Sequence, residues 1–273
     1  MNYVFAKSAT GYAHIRKNKP CQDYSSIYQD KERIIVTCCD GHGGPQYIRS
    51  HVGSKLASES VINVFKEIND KFFKEGDESA LYDKIKLLVL CEYNKLVERQ
   101  LATSPFRKRE MEGLDETQID TLRFNPSKAY GTTLAGVMLY KNKFIVISIG
   151  DTEALGIYKG NIVKLFNNED DPAGNITYSM CQEDAYKYLR VTIVNASSLD
   201  GVLLCTDGLS SPYQSYHNLE ESFIKPTVKK LICSKSLTYI DSYIDEVATR
   251  LGVGDDVSLA FIIKGKTKAK NYV

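Results

Sequence analysis

Residues 33–44 read RIIVTCCDGHGG. After Arg33 the next six are apolar or β-branched with no polar face, a pattern that suits a strand covered on both sides. The last five set one aspartate and one histidine among three glycines. Glycine supplies room. Gly41 lets backbone approach closely, and Gly43-Gly44 lets the chain turn tightly into a following helix.

Outward from this stretch the same grammar repeats. Runs at 144–149, 202–205 and 257–263 are short, apolar and strand-like, and "YSSIY" at 24–28 reads as a further short strand. Helical spacing appears at about 45–68, through Ile48, Val52, Leu56, Ile62 and Phe65, and at about 79–101, through Leu81, Ile85, Leu88 and Leu96. Two more helices are expected at 219–234 and 237–251. "YKNK" at 140–143 and "YKGN" at 158–161 read as hairpin turns, so 131–165 is expected to form an antiparallel meander.

No linker rich in Pro, Gly or Ser and no internal repeat divides the 273 residues, so one domain over 1–273 is expected. The polar stretch SPFRKREMEGLDETQIDTLRFNPSK, 104–128, is read as a flexible or flap insertion, and the start of 167–190 as similarly irregular.

Apolar residues make up 43% and charged residues 25%, an ordinary globular balance, and the net charge is +1. So small a charge offers no basic field for nucleic acid or an anionic membrane, so any phosphate chemistry must be local. The first residues hold no apolar leader core, and no run reaches the length of a membrane span. Seven cysteines, without C-x-x-C spacing, read as small buried hydrophobes of a reducing compartment. The expectation is a soluble, cytoplasmic, monomeric protein.

Chemistry is suggested by where the aspartates fall. Asp40 ends the first strand, Asp151 follows the second, Asp207 follows the third, and Asp255-Asp256 precedes the last; Asp23 precedes the short strand. Taken singly, each has a plain reading as a turn or helix cap, Asp207 included, as the cap of a helix begun by Leu209. Their repetition points elsewhere. Strand ends gather on one rim of a sheet, and several carboxylates held together there need a cation to offset their repulsion. Oxygen donors without clustered Cys or His favour Mg²⁺ or Mn²⁺.

In order, Asp40-Gly41-His42-Gly43-Gly44, Gly131-Thr132-Thr133, Gly150-Asp151-Thr152, Thr206-Asp207-Gly208 and Asp255-Asp256-Val257-Ser258 resemble the metal-dependent protein Ser/Thr phosphatases of type 2C, in a divergent bacterial form. The resemblance implies an α+β fold, a four-layer αββα sandwich of two antiparallel sheets flanked by helix pairs. It also implies hydrolysis of phosphoserine and phosphothreonine in proteins by a water bridging two Mg²⁺ or Mn²⁺ ions, without a phosphoenzyme intermediate. By the same resemblance Asp40 bridges the metals, Gly41 offers its carbonyl, Asp207 and Asp255 complete one shell, and Asp23 binds directly or through water. Asp151 with Asp207 matches a weaker third-metal site, and His42 matches the proposed general acid.

The chain departs from the family pattern at four places. Gln22 stands where many members have Glu, Asp256 where Asn is common, and Glu153 where an Arg closes the third motif. The usual phosphate-contacting Arg is Asn18, which leaves His14, Arg16, Lys17 and Lys19 as substitutes or as a solvated basic turn. Two other classes stay open on these residues: a pseudophosphatase that binds phosphoproteins without turnover, and an unrelated cation-binding or structural protein whose aspartates are turns and caps.

Overall fold

Alternation of side chains explains why Arg33–Cys39 carries no polar face. Ile34, Val36 and Cys38 point into one apolar layer, and Ile35 and Cys39 point into another. A strand with both faces covered must sit inside a layered structure, and the computed structural model of the chain has that form. It describes residues 2–74, 76–166, 177–265 and 267.

The order of elements is β1 (Tyr3–Ala9), α1 (Tyr12–Arg16), β2 (Tyr24–Gln29), β3 (Arg33–Cys39), α2 (Ser50–Glu67), α3 (Glu78–Thr103), α4 (Glu116–Phe124), β4 (Leu134–Tyr140), β5 (Lys143–Ile149), β6 (Glu153–Tyr158) and β7 (Asn161–Lys164). There follow α5 (Ala185–Tyr188), β8 (Arg190–Asn195), β9 (Gly201–Cys205), α6 (Asp207–Ser210), α7 (Tyr216–Leu219), α8 (Lys225–Ser234), α9 (Thr238–Glu246) and β10 (Val257–Ile263). The strands form two antiparallel sheets, ordered β1-β10-β9-β6-β7 and β2-β3-β4-β5-β8.

Three apolar layers hold the sandwich. Val36, Val137, Val146, Val202, Leu204 and Ile262 fill the space between the sheets. Ile35, Met138 and Ile147 meet the buried faces of α2 and α3 through Val61, Phe65, Ile85 and Val89. Leu203, Leu259 and Phe261 meet α8 and α9 through Val228, Leu231, Ile240 and Ile244. Each such branched side chain, once fully covered, contributes roughly 1.5–3 kcal/mol. This is the expected αββα architecture.

Three local expectations change. The second helix begins at Ser50 and not near 45, because residues 44–49 form bends that seat Tyr47 against Gly131 and His42. Neither Gly43 nor Gly44 has a left-handed φ. The meander is divided between the sheets: β4 and β5 form a hairpin in one, β6 and β7 in the other. Gly150 makes that crossing at φ +83°, where a Cβ would lie 2.7 Å from the Tyr178 carbonyl and from Thr133 Cγ2. The two C-terminal helices appear where expected, except that Glu220–Ile224 and Val247–Leu251 are π-helical turns.

The stretch 104–128 carries a 3₁₀ turn (Lys108–Met111) and α4, whose N-terminus is closed by a reciprocal Asp115–Gln118 capping box. Of the irregular segment expected from 167, residues 167–176 lie outside the described residues. No described helix is long and apolar enough to cross a membrane.

Candidate active site

Antiparallel register brings the aspartates to one end. Tyr24 pairs with Cys39, so Asp23 and Asp40 extend from the same edge of β2 and β3. Cys38 pairs with Ala135 and Leu134 with Ile149, which sets the end of β5, and Asp151 just past it, beside Asp40. In the facing sheet Leu259 pairs with Cys205, so Asp207 leaves β9 where Asp255 enters β10. Five carboxylates from two sheets therefore share one rim.

The loop at Asp40 is fixed by backbone. Thr133 N–H and Thr132 Oγ1 both donate to the Asp40 carbonyl at 2.8 Å, and Asp40 N–H donates to Thr133 Oγ1 at 2.9 Å. Gly41 N–H donates to the Gln22 carbonyl at 3.2 Å. A Cβ on Gly41 would stand 2.6 Å from that oxygen and 2.8 Å from the Ser50 carbonyl, so only glycine fits. Gln22 also donates its side-chain amide to Ser50 Oγ at 2.6 Å and to the His42 carbonyl at 3.2 Å, tying the loop to the start of α2.

The electrostatics are those of crowded acids. Burial first, then the charges of Asp23, Asp207, Asp151 and Asp255, push the Asp40 carboxyl well above the usual carboxylate range. Asp23, 4% exposed, is raised by burial and by Asp256, against the hydrogen bond it accepts from Thr206 Oγ1 at 2.8 Å. Asp207, the first residue of α6, is raised to about 6 by burial, Asp151 and Asp255. Asp151 and Asp255 are exposed; Thr177 Oγ1 donates to Asp151 at 2.8 Å, and Asp255 accepts the Asp256 N–H at 2.9 Å.

Hard oxygen donors on a rigid rim, with three of them (Asp23, Asp40 and Asp207) partly or fully buried among like charges, fit a pair of hydrated divalent cations. No three of the five have oxygens within 4.8 Å of one another among the described residues; the one group that does is His217, Glu220 and Glu221. There Lys225 already pairs with both glutamates, so a cation is in place.

His42 is half-buried, with its ring 4.9 Å from that of Tyr47, and its Nε2 is buried with no hydrogen-bond partner among the described residues. Burial pushes its pKa down to about 4; the Lys128 charge adds to that and the Asp151 charge opposes it. Of the cations expected to contact phosphate, His14 Nδ1 lies 2.9 Å from Asp256 Oδ2. Asp256 also accepts from Gly11 N–H at 2.8 Å and Gln22 N–H at 2.6 Å, so it fastens α1 to the β10 loop. Arg16, Lys17 and Lys19 are exposed on and after α1.

Three residues near the site gave no signal in the sequence reading. Lys128, in the 3₁₀ turn Pro126–Tyr130, is half-buried with Nζ 5.8 Å from the centre of the Tyr47 ring; its place three residues before Gly131 was the available hint. Arg190 lines a cavity of about 190 Å³ beside Asp151 and donates to the Gly150 carbonyl at 3.0 Å. Arg49, 4% exposed, donates to Glu110, to the Ser104 and Pro105 carbonyls and to Tyr130 Oη.

The family model described as protein phosphatase 2C matches residues 10–235. No curated protein matches the chain by sequence. Among solved structures, the Mycobacterium tuberculosis serine/threonine phosphatase PstP/Ppp is 17% identical, with 96% of this chain and 98% of that one covered at a TM-score of 0.59. The PstP catalytic domain in complex with 2 manganese ions gives 19% identity, 96% and 97% coverage and 0.59. The S. agalactiae serine/threonine phosphatase gives 15%, 96%, 99% and 0.60. At these identities the likeness establishes the fold.

Proposed function

Because the chain belongs to the protein phosphatase 2C family, a family of protein-serine/threonine phosphatases, we propose that it hydrolyses phosphoserine and phosphothreonine esters in proteins with two Mg²⁺ or Mn²⁺ ions held at the aspartate rim. The observation that carries this reading is the register that gathers Asp23, Asp40, Asp151, Asp207 and Asp255 at one end of the sandwich. The pair of manganese ions in the PstP complex is in keeping with it.

In this reading the Asp40 carboxylate and the Gly41 carbonyl would hold the ions. Asp207 and Asp255 would hold them from the facing sheet and Asp23 from the buried side, and Asp151 with Asp207 would serve a weaker third ion. Bound there, divalent ions acidify water and offset the charge on the phosphoryl oxygens. The chain's own residues do the rest. Thr132 and Thr133 hold the Asp40 loop, and Thr206 orients Asp23. His42 supplies a proton to the departing serine oxygen. Lys128 contacts the substrate phosphate, while Arg16, Lys17 and Lys19 are exposed on and after α1.

A direct attack of water, with no phosphoenzyme, suits the thiols. Cys38, Cys39 and Cys205 are buried, and burial raises each thiol pKa, which leaves little thiolate. The deciding experiment is turnover of phosphoserine peptides by the full chain with and without Mn²⁺. Unchanged turnover after exhaustive chelation would overturn the reading.

A further inference from the structure

Beside the Asp255 end of the rim lies an exposed apolar patch. Tyr12 is 42% exposed, Ile15 55%, Leu251 51% and Val253 62%. Tyr12 and Ile15 are three apart on α1 and share a face. The Tyr12 ring lies over Gly254, where a Cβ would be 2.4 Å from its Cε1, and Ala13 N–H donates to the Gly254 carbonyl at 3.0 Å. α1 also packs on the π-turn that ends in Leu251. The four side chains thus form one surface that begins two residues before Asp255 and is fastened to it through Asp256, Gly11 and His14.

Patches of this kind, apolar and rimmed by charge, mark interaction sites. On the α1 side the rim is basic, since Arg16, Lys17 and Lys19 follow Ile15 and are all exposed, while the opposite side ends at the exposed Asp255 of the proposed metal site. A protein substrate whose phosphoserine sits at the aspartates can carry residues on one side of it across this edge. Apolar side chains there would be covered by Ile15 and Val253, and acidic ones would meet the basic turn.

We propose that α1 and the 251–253 segment form the substrate-docking surface of the phosphatase, selecting phosphoproteins whose residues beside the phosphoserine are apolar and acidic. The proposal rests on the phosphatase reading, deepens it, and makes no claim on the chemical step. Docking of this kind alters protein substrates and leaves small phosphate esters alone.

The test uses the full chain with Mn²⁺ and the double variant Ile15→Ser, Val253→Ser, both exposed positions outside the catalytic residues. Three substrates are compared: a phosphoserine peptide flanked by Leu and Asp, one of equal length flanked by Lys and Gly, and p-nitrophenyl phosphate. The variant should lose about tenfold in kcat/KM on the first peptide and keep its rate on p-nitrophenyl phosphate. Equal loss on all three substrates, or no preference between the peptides in the unmodified protein, overturns the surface. Fluorescence anisotropy of the labelled Leu/Asp peptide reads the surface without turnover. Binding that weakens in the variant supports the surface even where the phosphatase reading fails, and unchanged binding overturns it. A dimer of the unmodified chain that the variant dissociates, with peptide kinetics unaltered, would assign the patch to a second copy and overturn substrate docking.

Discussion

Arg49 and Glu110 meet in two parallel hydrogen bonds, Nε to Oε1 at 2.8 Å and Nη2 to Oε2 at 3.0 Å. Arg49 lies in the bends that join the Asp40 loop to α2, and Glu110 lies in the charged stretch 104–128. The pair therefore fastens that stretch next to the Asp40 loop. The Arg49 hydrogen bonds hold the Glu110 carboxyl down to about 2. Glu110→Gln should cost about 2 kcal/mol of unfolding free energy, since a nearly buried guanidinium loses its counter-charge. A carboxyl with a lowered folded pKa stabilises fully above its unfolded value near 4.5 and loses that contribution as pH falls toward 2. Urea titrations should show the gap between unmodified protein and variant constant near neutrality and narrowing below pH 4.5. A gap independent of pH would remove the ion pair from the account.

The aspartate rim predicts opposite effects on activity and on metal-free stability. Asp40→Asn, Asp207→Asn and Asp255→Asn should each abolish most turnover and the rise in melting temperature caused by Mn²⁺. Asp40→Asn should also raise the melting temperature of the chelated protein, because a crowded carboxylate is replaced by a neutral group of the same shape. Thermal scans with and without Mn²⁺ measure both. A full Mn²⁺ shift retained in all three variants would place the ions elsewhere.

Much of this was legible because the fold is layered. A strand covered on both faces loses its polar alternation, so RIIVTCC declared its place as an interior strand between two covered layers, and the aspartates at strand ends declared the rim. The division of the meander was not legible. β6 pairs with β9 some 50 residues on, and only the left-handed Gly150 marks the crossing. The same limit governs the site. His14 reads locally as one more cation of a basic turn, and its partner Asp256 lies 242 residues away. Helix α2 was placed too early because Ile48 continues the apolar spacing through bends whose purpose, seating Tyr47 on His42, is tertiary.

Asp151 should behave unlike the other acids. It is exposed, receives one hydrogen bond from Thr177, and stands at the edge of the cluster. Asp151→Ala should lower turnover while calorimetry still finds the two tightest Mn²⁺ sites. Loss of those sites would make it a principal ligand.

Lys128 and His42 both meet the Tyr47 ring, at 5.8 Å from its centre and 4.9 Å between ring centres respectively. If Lys128 contacts the phosphate, Lys128→Met should raise KM for p-nitrophenyl phosphate about tenfold with a smaller change in kcat, the signature of lost uniform binding. Lys17→Met and Lys19→Met should leave that KM alone. The reverse pattern would move the phosphate contact to the turn after α1.

His42 poses the sharpest chemical question, because its burial favours the neutral ring: its pKa is pushed down to about 4. A neutral imidazole can stand ready to pass on a proton only if it receives one within the reaction, and the attacking water is the available source. Nε2 is buried without a hydrogen-bond partner among the described residues, a costly state that a water or a substrate oxygen would relieve. Leaving-group chemistry separates this role from a purely structural one. A serine alkoxide needs a proton as the P–O bond breaks, whereas p-nitrophenolate departs without one, and general acids contribute on the order of 10²- to 10⁴-fold. His42→Gln should therefore slow phosphoserine peptide hydrolysis by about 10² while changing p-nitrophenyl phosphate hydrolysis little, with the Mn²⁺ thermal shift intact. Equal slowing of both substrates, or a lost thermal shift, would make His42 a brace for the Asp40 loop, acting through its backbone bond to Gly131 and its ring contact with Tyr47.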